Sequence, residues 1–230
     1  MPVIDFGRPV GVSHPPFIIA SLDCRELGTL DRALAAIDAA ADSHCDSIKF
    51  TCMPWSWSAR MFAAAEARGL IMLAPALDET AVTRLDWLGA PAFYLVYDWS
   101  DLELVARVAR TGKPLVLQVG TASPVEIAEV IETVHQNGNG GIALVQAVID
   151  VELEGLDTLC LHQTVVGISD RSRGPDIPLA AISRGACIVE KRFTLRNDGI
   201  ALCPVELAAV VRDCEQAWAS LGDDRRWFVN

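Results

Sequence analysis

The chain has 230 residues, enough for one sizeable domain, and its 51% hydrophobic and 21% charged content is globular rather than disordered. Nineteen Lys and Arg against 30 Asp and Glu give a net charge of −11, which repels phosphate backbones and anionic lipid and argues against nucleic acid or membrane surfaces as partners. No apolar run approaches the ~18 residues of a membrane span, the N-terminus lacks a signal-peptide pattern, and seven cysteines without a CxxC pair read as reduced thiols of a cytoplasmic protein.

Residues 1–16, with Gly7, Pro9, Gly11 and Pro15-Pro16, predict a small turn or hairpin closing a barrel floor. Strands follow at Phe17–Asp23, Ser47–Cys52, Leu70–Ala76, Ala92–Asp98, Leu115–Gly120, Ile142–Val148, Thr164–Asp170 and Ala186–Phe193. Their starts lie roughly 22 to 30 residues apart, room for one strand, one helix and two short loops. Most are continuous apolar runs, as expected of parallel strands buried on both faces. Between them, Leu34, Ile37 and Ala41 repeat at helical spacing, as do Leu207, Val210, Val211, Cys214 and Trp218. Ser123-Pro124-Val125-Glu126 reads as a capping box with proline at the first helical position. Gly69, Gly89, Gly112, Gly138 and Gly185 are expected to end helices in the left-handed conformation. Eight uninterrupted βα units predict an α/β fold, a single (βα)8 TIM barrel over 17–222, with 223–230 as a tail. A doubly wound open sheet is the alternative, but no GxGxxG follows the first strand.

Barrel chemistry sits at the carboxyl ends of the strands. Those ends offer Ser21, Asp23, Arg25 and Glu26; Lys49 and Thr51; Tyr94, Tyr97 and Asp98; Gln118; Gln146; Ser169, Asp170 and Arg171; and Glu190, Lys191 and Arg192. Lys49, between Ile48 and Phe50, points into the barrel with Ser47 and Thr51. A buried lysine needs a partner or a task. It is an ion pair with Asp23 or Glu190, an anion anchor, or a Schiff-base nucleophile. Arg171 and Arg192, on adjacent strands, form either a bidentate clamp for carboxylate or phosphate or a network closed by Asp170 and Glu190. Arg25 and Glu26 read as a solvated surface pair, with a lid contact as the sharper alternative. His14, His44, His135 and His162 end no predicted strand, and no cysteine cluster has metal spacing, so neither metal nor cofactor is expected. No GxSxG or nucleophile–histidine arrangement suggests a triad. Cys24 and Cys52 are the cysteines expected to be accessible. Trp55, Trp57 and Trp99 are expected in loops after strands, as an interface, a lid or core.

Several segments together resemble the barrel domain of the sialic acid synthases, the N-acetylneuraminate synthase-like group that also makes related nonulosonic acids. They are Phe17-Ile18-Ile19-Ala20, Asp46-Ser47-Ile48-Lys49-Phe50, Gly89-Ala90-Pro91-Ala92-Phe93, Thr111-Gly112-Lys113-Pro114, Gly167-Ile168-Ser169-Asp170 and Ile188-Val189-Glu190-Lys191-Arg192-Phe193-Thr194-Leu195. The resemblance runs from about Pro16 to Gly222 and implies the barrel fold. It also implies condensation of phosphoenolpyruvate with an N-acetylated amino sugar, assisted by a divalent metal such as manganese. Here the sequence departs from the family. The catalytic glutamate falls on Ser21, and the asparagine–histidine pair on Arg25 and Glu26. The two metal histidines fall on Arg171 and Arg192. The lysine and serine of strand four fall on Tyr94 and Tyr97, with the acid near Trp99. The strand-five serine falls on Gln118 and the strand-six histidine on Gln146, while Lys49, Ser169, Asp170 and Glu190 are kept. The family's loop after strand eight is shortened to about Asn197-Asp198-Gly199. Its C-terminal antifreeze-like domain is expected to be missing.

The first functional reading is a repurposed barrel that binds an anionic, carbohydrate-related small molecule without metal. Lys49, Arg171 and Arg192 would hold the anion; Gln118, Gln146, Tyr94 and Asp98 would contact hydroxyls; Thr51, Ser169, Asp170 and Arg25 would complete the site. Asp23, Asp98 and Glu190 are candidate acids or bases, and Lys49 a candidate nucleophile, with none singled out. The second reading is an inactive paralogue that partners an active synthase, or a homodimer. The third is retained condensation with phosphoenolpyruvate.

Overall fold

A computed structural model of the chain describes residues 2–96, 101–120, 122–138, 141–148, 153–196 and 201–222. A two-stranded antiparallel hairpin, β1 (Ile4–Asp5) and β2 (Pro9–Val10), comes first. Eight parallel strands follow: β3 (Phe17–Asp23), β4 (Ser47–Thr51), β5 (Ile71–Leu73), β6 (Phe93–Val96), β7 (Leu115–Val119), β8 (Ile142–Val148), β9 (Val165–Asp170) and β10 (Ile188–Arg192). They fall on the eight expected segments. Between and after them lie α1 (Cys24–Leu27), α2 (Leu30–Asp42), α3 (Trp55–Ala67), α4 (Glu79–Trp87), α5 (Leu102–Ala109), α6 (Pro124–Asn137), α7 (Glu154–Cys160), α8 (Asp176–Ser183) and α9 (Pro204–Ser220).

The strand order is β5-β4-β3-β10-β9-β8-β7-β6, and the two ends of this sheet meet. Pro75 bridges Tyr94, and the Ala76 amide donates to the Tyr94 carbonyl at 3.0 Å. The fold is therefore a (βα)8 barrel, and the open doubly wound sheet is excluded.

Strand parity sorts the side chains into two cores. Phe17, Ile19, Leu73, Ala92, Tyr94, Val116, Ala143, Val145, Val165 and Ile188 fill the barrel interior. Ile18, Ile48, Phe93, Leu117, Leu144, Ile168 and Val189 face the helices. Ile4, Phe6 and Val10 of the hairpin join the interior cluster, with the Phe6 and Phe17 rings 5.3 Å apart. Arg8 ties this hairpin to the barrel through Asp46 Oδ1 at 2.6 Å and the Pro16 carbonyl at 2.9 Å. The Trp218 indole of α9 donates to the Val12 carbonyl at 3.2 Å. The lower barrel is thus filled, and among the described residues the two larger cavities open at the carboxyl ends of the strands. Among the described residues no helix is long and apolar enough to cross a membrane.

The expected capping box forms: the Glu126 amide donates to Ser123 Oγ at 3.3 Å, and the Ser123 amide to Glu126 Oε2 at 2.8 Å. Gly69, Gly89, Gly112 and Gly185 take positive φ, as expected. Gly138 does not. Its φ of −169° is extended backbone, and a Cβ there would lie 1.9 Å from the Ala109 carbonyl oxygen. Close approach to α5, rather than handedness, demands glycine at 138. Trp55 and Trp57 lie in the first turn of α3, not in a loop; Arg84 sits over the Trp55 ring at 5.1 Å, and Trp57 packs against the core.

Candidate functional site at the barrel mouth

The carboxyl ends of the strands surround a cavity of about 310 Å³. That is the lower end of the range for small-molecule pockets. Ser21, Asp23, Lys49, Thr51, Gln118, Ser169, Arg171, Glu190 and Arg192 line it, and Val96 and Glu26 are exposed beside it. β-Sheet register explains the gathering: Ser21 pairs with both Lys49 and Arg192, and Ser169 with Glu190.

Lys49 is 3% exposed, and its Nζ lies 2.6 Å from Glu190 Oε1 and 3.8 Å above the centre of the Tyr94 ring. The open alternative of Asp23 as its partner is closed in favour of Glu190. Glu190 also accepts from Ser169 Oγ at 3.1 Å and from the Tyr94 hydroxyl at 2.8 Å, which lies 3.0 Å from Gln118 Oε1. Burial pulls the Lys49 pKa below the ordinary lysine value and Arg171 adds to that pull, while Glu190 opposes both. Burial, reinforced by the Glu190 charge, pushes the Tyr94 phenol well up. Of the three N–H bonds on the Lys49 ammonium, the Glu190 contact uses one and the ring attracts the same charge from a second side. Donor capacity remains on the side of the cavity.

The arginine network differs from the closed alternative. Asp170 is fully buried with Lys191 Nζ at 2.6 Å, and Glu190 holds Lys49, so neither acid neutralises an arginine. Arg192 pairs with Glu26 at 2.5 Å, both half-exposed. Arg25 closes on Asp23 at 2.5 Å and does not line the cavity. Arg25 and Glu26 are therefore not paired with each other; each reaches a different partner. Arg25 holds the Asp23 carboxyl below its ordinary pKa by donating to it. Arg171 is exposed beside the cavity and has no hydrogen bond or ion pair among the described residues.

Several expected site residues lie elsewhere. Gln146 faces the helices: Val145 beside it is interior, and the Gln146 amide packs where a Cβ on Gly155 of α7 would sit, at 2.6 Å. Asp170 touches the cavity edge, but its carboxylate accepts from Lys191, the Ser172 amide and Ser172 Oγ behind the sheet. Tyr94 is fully buried below the cavity and positions Glu190 rather than lining the opening. Asp98, with Tyr97, Trp99 and Asn197-Asp198-Gly199, lies outside the described residues. Cys52 is exposed, whereas Cys24 is buried and its thiol is pushed up to about 12, chiefly by burial. The sequence reading missed Lys191 as a brace and Glu26 as the partner of Arg192, a pair separated by 166 positions.

The divalent metal that the resemblance implies does not fit this donor set. No histidine or thiol lines the cavity, two arginines stand there as permanent cations, and its carboxylates already accept from Arg25, Lys49 and Arg192. Among the described residues, no three His, Cys, Asp or Glu side chains are grouped to hold a metal ion.

The NeuB family profile matches residues 27–226. The chain belongs to the NeuB family. It is similar to the spore coat polysaccharide biosynthesis protein SpsE of Bacillus subtilis, at 27% identity over 94% of this chain and 71% of that protein. It is 24% identical to a pseudaminic acid synthase of Campylobacter jejuni over 91% of this chain and 76% of that protein. The crystal structure of B. subtilis SpsE superposes with a TM-score of 0.88 at 26% identity, covering 99% of this chain and 74% of SpsE. The N-acetylneuraminic acid synthetase of Leptospira borgpetersenii, crystallised with citrate, gives 0.84 at 25% identity, covering 96% and 90%. The SpsE alignment spans 264 positions although this chain has only 230 residues, so SpsE carries additional residues between matched segments of this NeuB barrel.

Proposed function

We propose that this NeuB-family barrel binds an anionic, carbohydrate-related small molecule at its mouth without a metal, within nonulosonate- or polysaccharide-type metabolism. The observation that carries the reading is Arg171: an exposed guanidinium beside a cavity, unpaired among the described residues, on a chain of net charge −11. An incoming carboxylate or phosphate meets the planar donor fork of Arg171 and, deeper, the remaining donor capacity of Lys49. Ser21, Thr51, Gln118 and Ser169 offer short polar groups to hydroxyls. The names of the relatives, biosynthetic proteins of coat polysaccharide and of pseudaminic acid, support a sugar-acid ligand.

The Lys49–Glu190 contact uses the ammonium as it stands, which suits an anchor. A Schiff base would require Lys49 to lose that proton and its hold on Glu190. Should turnover accompany binding, Glu190 and Asp23 are the candidates among the described carboxylates of the cavity, since Asp170 is held by Lys191 and Glu26 by Arg192. Glu190 sits beside the lysine that anchors the ligand, and Asp23 is kept ionised by Arg25.

A thermal-shift panel tests this reading, with phosphoenolpyruvate, phosphate, sugar acids and N-acetylated sugars, each with manganese and with chelator. An anion at ~100 times its Kd stabilises by about 2.7 kcal/mol, several degrees for a chain of this length. The expected result is stabilisation unchanged by chelator and abolished in Arg171→Gln. Stabilisation only with manganese, or silence across the panel, overturns the proposal.

A further inference from the structure

A second cavity of about 230 Å³ adjoins the first, between the residues that follow β10 and the α1–α2 segment. The two share Leu22, Asp23, Glu26 and Arg192. The ion pair between Arg192 and Glu26 therefore stands in their common wall. Beyond it lie Arg32 and Arg196, whose guanidinium groups have no hydrogen-bond or ion-pair partner among the described residues. The two carboxylates present are already engaged, Asp23 by Arg25 and Glu26 by Arg192. Three arginines thus face a small cavity whose acids are accounted for, on a protein that is strongly acidic elsewhere. Such a local reversal of sign concentrates anions from solution. Leu27, Phe193 and Leu195 supply apolar wall suited to a carbon skeleton.

We propose that this second cavity is an anion subsite, and that the ligand is doubly anionic. One acidic group would sit at Arg171 and the other between Arg32 and Arg196, with the carbon chain passing Arg192. This inference rests on the reading that the mouth cavity binds an anionic sugar derivative. The wall is no obstacle, because a half-exposed ion pair contributes little and exchanges readily. A ligand anion can take Arg192 from Glu26. The ligand class is then a sugar acid with a second acidic group, phosphate or carboxylate, several carbons from the first.

Titration calorimetry on the intact chain separates the possibilities, with 6-phosphogluconate as the doubly anionic probe and gluconate and glucose 6-phosphate as singly substituted controls. The wild type is expected to bind 6-phosphogluconate about tenfold or more tightly than gluconate, the scale of one added charge-assisted contact. Arg32→Gln and Arg196→Gln, singly and together, should erase that advantage and leave gluconate binding unchanged. Glu26→Gln frees Arg192 and should tighten 6-phosphogluconate several-fold. Equal affinity for the two acids, or indifference to both arginine variants, overturns the second subsite while leaving the mouth reading standing. Loss of all binding in Arg171→Gln alongside a retained 6-phosphogluconate preference in wild type supports both. Binding of no probe overturns both. The Arg32 and Arg196 guanidinium groups have no partner among the described residues, so unchanged melting temperatures of the variants confirm that the loss is local.

Discussion

Two lysine–carboxylate pairs meet on neighbouring residues of one strand and do different work. Glu190 points into the barrel and holds Lys49; Lys191, the next residue, points out toward the helices and holds Asp170. Both contacts are 2.6 Å and both are buried. They differ in saturation. The Lys191 ammonium donates to Asp170 Oδ2, to the Ser172 carbonyl at 2.7 Å and to the Gly174 carbonyl at 3.2 Å, so all three of its N–H bonds have acceptors. Among the described residues the Lys49 ammonium has one hydrogen-bond acceptor, and it borders open space. A saturated buried ammonium is a brace, fixing the loop after β9 to β10. An unsaturated one beside a cavity is available to a ligand.

Breaking each pair should separate stability from binding. The largest effect is expected from Lys191→Met, which strands Asp170 and two carbonyls without their donor. A loss of about 3–5 kcal/mol lowers the melting temperature by roughly 6–20 °C, with ligand affinity unchanged in whatever stays folded. Lys49→Met should cost less, about 1–3 kcal/mol, because Glu190 keeps Tyr94 and Ser169 and borders the cavity. Its anion affinity should fall about tenfold. Adding Glu190→Gln to it removes the stranded charge, so melting recovers while binding stays lost. A Lys49 variant that binds normally, or melts below the Lys191 variant, would break the comparison.

The smallest effect belongs to the exposed pair of Asp23 and Arg25. The Asp23 pKa is lowered in the folded chain, so its contribution is present above the unfolded carboxylate value of about 3.9. It is lost as pH falls through the lower folded value. Asp23→Asn should lower the melting temperature slightly at neutral pH and flatten the acid limb, so that variant and wild type converge below about pH 4.

The barrel was legible because each strand is an apolar run and each return carries its own punctuation. The inward direction of Lys49 was legible for a related reason: Ile48 and Phe50 flank a charge that tertiary structure must accommodate. Gln146 shows the limit. Val145 and Ala147 beside it are both apolar, and a strand buried on both faces carries no alternation from which to read direction. Asp170 misled in the same way, since Ser169 next to it is also polar and only register shows which faces the cavity. Trp55 and Trp57 read as loop because α3 starts at Pro54 without a side-chain cap. Glu26 with Arg192, and the second cavity they border, depend on the sheet bringing β3 and β10 side by side, which no local pattern encodes.

Among the described residues, the hairpin that plugs the lower barrel leaves the two larger cavities side by side at the carboxyl ends of the strands. The Arg192–Glu26 pair stands between the two cavities there, so an occupant of either one fixes side chains that the other presents.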